Sequence, residues 1–194
     1  MATALRPSRG GSLVPFGCGM FIRAFLSGNG PEYGAPTIDP ALGACQEDIF
    51  YHYKLALIKA AAEDAAVRDE EKRAKREDRL ISPEKIEELT EYYSRRIPYK
   101  LHKARYHSFQ RYFHWLKQLE WVEFTGKEEM AAIQEYYPDA PPRRYYRLTK
   151  KGIEAPDYEW SRPQLTLYPM INGVPAEEYF TEKRKQYHYY KKKR

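Results

Sequence analysis

The sequence predicts an α+β fold, mainly helical, with a long N-terminal helix, a helix-turn-helix unit followed by two strands at its centre, and irregular arms at both ends. Three observations carry this expectation. Helix-period apolar residues begin at residue 46. The stretch "SFQRYFHWLKQLEWVEF", Ser108 to Phe124, has one apolar and one polar face at 100° per residue. Two short alternating segments, "WVEFT" and "RRYYRLT", then flank a polar loop that ends in proline.

Residues 1–43 hold eight of the eleven glycines, five prolines and only five charged side chains. No regular period survives there, so residues 1–45 are expected as a flexible or partner-ordered arm. The alternative is that the phenylalanines of "LVPFGCGMFIRAFL" tuck onto the folded body or a neighbour. Pro15 and Arg23 do not suit a secretory signal, whereas an acid-poor, Arg-bearing start also fits an organellar transit peptide.

Residues 46–155 are expected to hold the helical region and the central domain. Ile49, Phe50, Tyr53, Leu57 and Ala60/Ala61 fall at helical spacing. This helix runs into "RDEEKRAKREDR", Arg68 to Arg79, charged at every position but Ala74; it reads as a projecting helix or a solvated linker, with Asp69–Arg73 and Glu71–Lys75 spaced as supporting pairs. Ser82, Pro83 and Glu84 begin a second helix as N-cap, first helical residue and dipole partner. Ile86, Leu89 and Tyr92/Tyr93 give that helix a stripe, and Pro98 ends it.

"YKLHKARYHS" reads as a short helical piece with a break before Ser108, the expected N-cap of the two-faced helix. Phe109, Tyr112, Phe113, Trp115, Leu116 and Leu119 share one arc of that helix, and Gln110, Arg111, His114, Lys117 and Gln118 the other. It stops near Glu120. Val122 and Phe124 alternate with Glu123, a loop opens at Gly126 and closes at Asp139–Pro142, and Tyr146 and Leu148 alternate with Tyr145 and Arg147. Helix, turn, helix, strand, loop, strand is the order of a helix-turn-helix with a β-wing.

"LKQLEWVEFTG" and "RRYYRLTKKG" resemble the winged helix-turn-helix superfamily of prokaryotic DNA-binding proteins over about residues 82–155. In that pattern a recognition helix ends in L-K-x-L, G-W/Y-V-E follows, and R-Y-Y-x-L-T-x-x-G closes the wing. Glu120 stands where the pattern has glycine, and the wing loop is longer. The resemblance implies a winged helix-turn-helix core in a regulator-like, DNA-binding protein whose 108–120 helix lies in the major groove. Gln110, Arg111, His114 and Lys117 would then face bases or phosphates. His107 and Ser108 would meet phosphate at the helix N-terminus. Lys100, Lys103 and Arg105 would lie over the backbone, and Arg143 and Arg144 would hold the wing to the adjacent groove. The competing reading leaves these residues solvated on a winged helix that contacts protein.

Residues 156–194 read as a proline-punctuated extension with one strand-like run, Gln164–Tyr168, then a helix after Pro175 and a basic tail. The formal charge of +6 lies in the last thirteen residues, which carry seven basic and one acidic side chain; the rest holds 26 of each sign. Lys183, Arg184, Lys185, Lys191, Lys192, Lys193 and Arg194, interleaved with Tyr187, Tyr189 and Tyr190, combine phosphate neutralisation with stacking faces. Duplex DNA is the favoured partner and RNA a possible one. The alternative function is a non-enzymatic structural subunit of a nucleoprotein or other large assembly, making RNA or protein contacts. A homodimer is expected through the helix beginning near Asp48, because Phe50, Tyr53 and Leu57 exceed what a three-helix core uses.

No apolar run approaches the ~20 residues that span a bilayer, and mean hydropathy is −0.81, so no membrane partner is expected. Cys18 and Cys45 form neither a C-x-x-C spacing nor a Cys/His cluster. Catalytic and nucleotide-cradling motifs are missing, and the five histidines lack metal-ligand spacing. The expectation is a non-enzyme with no cofactor and no metal, cytoplasmic and nucleoid-associated.

Overall fold

The described part of the N-terminal segment, residues 16–45, packs into the core. In the computed structural model, which describes residues 16–97 and 104–183, helix α1 spans Cys18–Leu26 and buries Phe21, Ile22, Phe25 and Leu26 completely or nearly so. Two turns are too short to display a period between flanking glycines and prolines, so the sequence pattern conceals the helix. Packing needs one of those glycines: a Cβ on Gly19 would sit 2.0 Å from the Trp160 carbonyl oxygen. The phenylalanines thus tuck onto the body, the second of the two readings above.

Strand β1 (Ala44–Cys45) leads directly into α2 (Gln46–Arg76), 31 residues and about 46 Å long at 1.5 Å per residue. Cys45 caps it, its Sγ accepting from the Asp48 N–H at 3.4 Å, and Glu47 and Asp48 face the positive helix end. The first half of α2 belongs to the core. Phe50, Tyr53 and Leu57 are 8 %, 7 % and 3 % exposed, with Phe50 against Phe109 at 5.2 Å and Tyr53 against Phe21 at 5.3 Å between ring centres. The apolar surplus that motivated a homodimer is therefore consumed within the chain, Phe50 by Tyr106 and Phe109 and Tyr53 by Phe21 of α1.

The second half of α2 carries the charged run and is helical throughout. Ala62, Ala66, Glu70 and Ala74 recur every fourth residue and are buried, and small side chains there let α3 (Pro83–Arg96) fold back along it. Ser82 caps α3 as expected, accepting from the Lys85 N–H at 3.3 Å. Asp69 pairs with Arg73 at 3.0 Å and accepts from the Tyr93 hydroxyl at 3.1 Å. Glu70, fully buried, holds the hairpin turn: its carboxylate takes both guanidinium nitrogens of Arg79 and the Ser82 N–H at 2.9 Å. Tyr92, expected in the α3 stripe, is instead largely exposed under the Arg96 guanidinium, 4.2 Å from its ring centre.

Helix α4 (Tyr106–Gln118) starts two residues before the expected cap. Arg105 occupies the N-cap position with extended backbone and no side-chain bond, and Ser108 lies inside the first turn. The short piece before it falls mostly on residues 98–103, outside the described residues. Among the described helices, α1, the first half of α2 and the helix Pro163–Leu167 pack against α4, and α3 lies between α2 and α4 in sequence. After α4 the chain turns at Glu120, whose φ is +59°, into β2 (Val122–Glu129). β3 (Arg143–Leu148) pairs antiparallel with β2, Val122 opposite Leu148 and Phe124 opposite Tyr146, and also with β1, giving the order β1-β3-β2. The register shifts between Phe124 and Glu128, where Gly126 at φ +87° absorbs the irregularity.

The C-terminal segment packs on the same core. α5 (Lys150–Glu154), α6 (Asp157–Ser161) and α7 (Pro163–Leu167) follow β3, then a two-stranded hairpin of β4 (Met170–Ile171) and β5 (Val174–Pro175), and residues 176–183 are helical. The expected strand-like run 164–168 is thus helix α7: Pro163 at its first position presets helical φ, and α4 offers a packing surface rather than a strand edge. Trp160 stacks on Trp121 at 4.9 Å and donates to the Gly152 carbonyl at 2.9 Å. Arg23 binds Asp157 at 2.6 Å and the Ile153 carbonyl at 2.7 Å, tying α1 to this region. The architecture is α+β, mainly helical, with two small antiparallel sheets.

Candidate nucleic-acid interface

Helix α4 keeps the two faces read from its sequence. Phe109, Phe113, Leu116 and, just beyond, Leu119 are buried, and Tyr112 and Trp115 half-buried at the edges. Phe113 meets Tyr146 of β3 edge-on at 5.1 Å, and the Tyr112 hydroxyl donates to the Trp160 carbonyl at 2.5 Å. The sheet and α6 therefore fix the rotation of α4 about its own axis. That rotation leaves Arg105, His107, Ser108, Gln110, Arg111, His114, Lys117 and Gln118 exposed along one side.

The helix contains no Asp or Glu. Among the described residues no carboxylate pairs with Arg105, Arg111 or Lys117. The Arg111 guanidinium lies 6.0 Å from the Trp115 ring, and the Lys117 ammonium 5.6 Å from the Tyr146 ring. Cations held beside aromatic faces keep their full charge for an incoming anion. A carboxylate does meet α4 at its N-terminal end, where Glu47 accepts from the Tyr106 hydroxyl at 2.8 Å. Burial and that carboxylate together push the Tyr106 phenol up, so it remains a donor that satisfies Glu47.

The β2–β3 hairpin departs from the expected wing. Arg143 and Arg144 do not reach outward: Arg143 is half-buried and bonds Asp48 at 2.5 Å and the Cys45 Sγ at 2.7 Å, clamping β3 to the start of α2. Arg144 pairs with Glu128 at 2.7 Å over the Phe124 ring. Arg147 pairs with Glu123 at 2.7 Å, Lys127 with Glu129 at 2.8 Å, and Lys151 with Glu120 at 3.2 Å. Lys127, aided by the Tyr145 hydroxyl, holds Glu129 below the usual carboxylate range. Glu128 and Glu123 from the facing strand, Glu129 from the same strand as Lys127, and Asp48 from α2 neutralise the cations of this hairpin, an arrangement that residue-by-residue counting of arginines does not reveal. Its loop exposes Met130, Ile133, Tyr136 and Tyr137 beside Glu135 and Asp139.

Lys183 is exposed, its ammonium 4.8 Å from the Tyr179 ring. Lys100, Lys103, Arg184, Lys185, Lys191, Lys192, Lys193 and Arg194 lie outside the described residues. Sequence reasoning passed over Gln164, Tyr168 and Phe180, which line an open groove with Arg111 and Trp115. No period connects that segment to α4, and its aromatic content was the one available signal. Among the described residues no three His, Cys, Asp or Glu side chains gather as a metal site, and no helix is long and apolar enough to cross a membrane. Comparison with family models, with curated proteins and with solved structures gives no match.

Proposed function

We propose that this chain is a DNA-binding, regulator-like winged-helix protein, with α4 as the helix that enters the major groove. The observation that carries this reading is the exposed face of α4: the helix has no acidic residue, and Arg111 and Lys117 have no carboxylate partner among the described residues. A helix-turn-helix with a wing needs such a helix backed by a core and followed by an antiparallel hairpin, and α4, β2 and β3 have that order and pairing. The major groove, about 12 Å wide, admits one helix. Arg111 suits bidentate contact with guanine and Gln110 with adenine, while Arg105 and Lys117 suit phosphates. Because the wing cations are engaged by carboxylates, the duplex contact falls on α4 and on the basic residues beyond the described ones.

Fluorescence anisotropy with a pool of labelled duplexes at two salt concentrations tests this. Binding should weaken with salt, and Lys117→Ala should lower the slope by about 0.9 if Lys117 neutralises one phosphate. Arg111→Ala should relax preference at one base position. Absence of duplex binding at low salt, or binding indifferent to both substitutions, rejects the reading.

Two exposed apolar tips favour a second reading, a non-enzymatic structural subunit of a nucleoprotein or other large assembly. Leu80 at the turn of the α2–α3 hairpin is 91 % exposed beside Ile81, and the wing loop exposes Met130 and Tyr136. Replacing Leu80 and Ile81 by serine leaves duplex affinity unchanged under the first reading and abolishes incorporation into the assembly under the second.

A further inference from the structure

Beside the polar face of α4 lies a groove of about 630 Å³ in which the duplex reading uses Arg111 alone. Arg111 and Trp115 line it from α4, Gln164 and Tyr168 from α7 and the residue after it, Asn172 from the β4–β5 turn, and Phe180 from the helical residues 176–183. Its volume is in the range of roughly 300–1,000 Å³ typical of ligand clefts. Among the described residues no carboxylate lines it. Tyr168 is 49 % and Phe180 37 % exposed, far more ring surface than the core aromatics show.

We infer that this groove takes an unpaired nucleotide, its base against the Trp115, Tyr168 and Phe180 rings and its phosphate on Arg111. Every base has a π-face, so aromatic side chains beside a cation bind nucleotides without demanding a sequence. A nucleotide joins a flat apolar base to an anion a few bonds away, and here a guanidinium lies 6.0 Å from an indole ring. The side-chain amides of Gln164 and Asn172 each offer a donor and an acceptor for a base edge. Arg111 disfavours a cationic occupant, and with Met170 and Ile171 also lining the groove, an occupant that joins an apolar face to an anion matches it best. The groove is continuous with the exposed face of α4 through Arg111, which belongs to both. The inference rests on the reading of α4 as a helix that faces nucleic acid, and extends it from paired to unpaired nucleotides.

Tryptophan fluorescence reads the groove selectively, because Trp121 and Trp160 are buried and Trp115 is the partly exposed indole of the three. The full chain is titrated with single-stranded oligo(dT) and, separately, with thymidine 5′-monophosphate; duplex affinity is followed by anisotropy. Saturable quenching by oligo(dT) alone assigns a nucleotide within a strand, and quenching by the monophosphate as well assigns a free nucleotide too. Combined Tyr168→Ala and Phe180→Ala should weaken binding of the quenching species by about fivefold or more for each stacked ring lost, since stacking contributes that much per base. Duplex affinity should stay within twofold, and circular dichroism confirms that the variant is folded. Quenching without duplex binding overturns the major-groove reading and keeps the groove. Duplex binding with no quenching by either probe, or with quenching unchanged in the double variant, overturns the groove and keeps α4.

Discussion

Glu120 is one of three described non-glycine residues, with Asp78 and Asn172, in a conformation that a turn normally gives to glycine, and its replacement gives a signed prediction. Its φ is +59°, and two backbone bonds define the helix end around it: Glu120 N–H to the Lys117 carbonyl and Trp121 N–H to the Leu116 carbonyl, both 3.0 Å. That pair is the Schellman arrangement, with Glu120 at the position where glycine prevails. A left-handed L-residue costs about 1–2 kcal/mol, which Glu120→Gly relieves. Against this, glycine loosens the unfolded chain by about 0.4–1 kcal/mol. The Lys151–Glu120 pair is lost as well, but with side chains 59 % and 78 % exposed it contributes only about 0–0.5 kcal/mol. The Thr149 hydroxyl still bonds the carbonyl of residue 120 at 2.6 Å, because that is a backbone acceptor. Glu120→Gly should therefore be neutral to about 1 kcal/mol more stable than the parent. Glu120→Ala keeps the strained backbone and loses the ion pair, so it should fall about 0.5–1 kcal/mol below the glycine variant, roughly 1–4 °C in Tm. Urea denaturation and thermal melting of the parent and both variants measure this. An alanine variant more stable than the glycine one would refute the left-handed turn, and with it the way β2 leaves α4.

Further predictions probe the supports of the interface. Arg79 and then the Ser82 N–H hold the buried Glu70 carboxylate far down, to about 2 from an ordinary 4.5. A depressed carboxylate contributes its stability above the ordinary value and loses it as pH falls toward the folded value; the α2–α3 hairpin should hence open selectively between about pH 4.5 and 2. Amide exchange of residues 62–96 reads this, and Glu70→Gln should remove that acid limb from the profile. Gly19→Ala forces a Cβ to within 2.0 Å of the Trp160 carbonyl oxygen, so it should destabilise the chain by about 1–3 kcal/mol in denaturant titration, the usual cost of overpacking. Arg143→Ala should cost about 1 kcal/mol of stability through loss of a partly exposed pair with Asp48, yet leave duplex affinity within twofold. A large affinity loss with unchanged stability would return Arg143 to the nucleic-acid surface.

The sequence alone determined what depends on neighbours along the chain. The two faces of α4, the Ser82 cap and the alternation of β2 and β3 follow from spacing, because a helix turn or a strand pleat relates residues only a few positions apart, whereas the charged run, readable as helix or linker, became helix by packing against α3. Glu120 was visible as a departure from a glycine pattern, and the structure gives it the left-handed backbone that pattern implies. Tertiary structure decided everything that joins distant residues. Arg143 resembled a groove contact until the fold brought it to Asp48, 95 positions earlier. Phe50, Tyr53 and Leu57 resembled a surplus for a second copy until α4 and α1, the latter with no readable period of its own, joined them in one core. The groove on α4 exists only because Tyr168 and Phe180 arrive from beyond the sheet. Local geometry constrains which way a side chain points along its own element. Which partner it finds there depends on packing between segments whose separation no periodicity encodes.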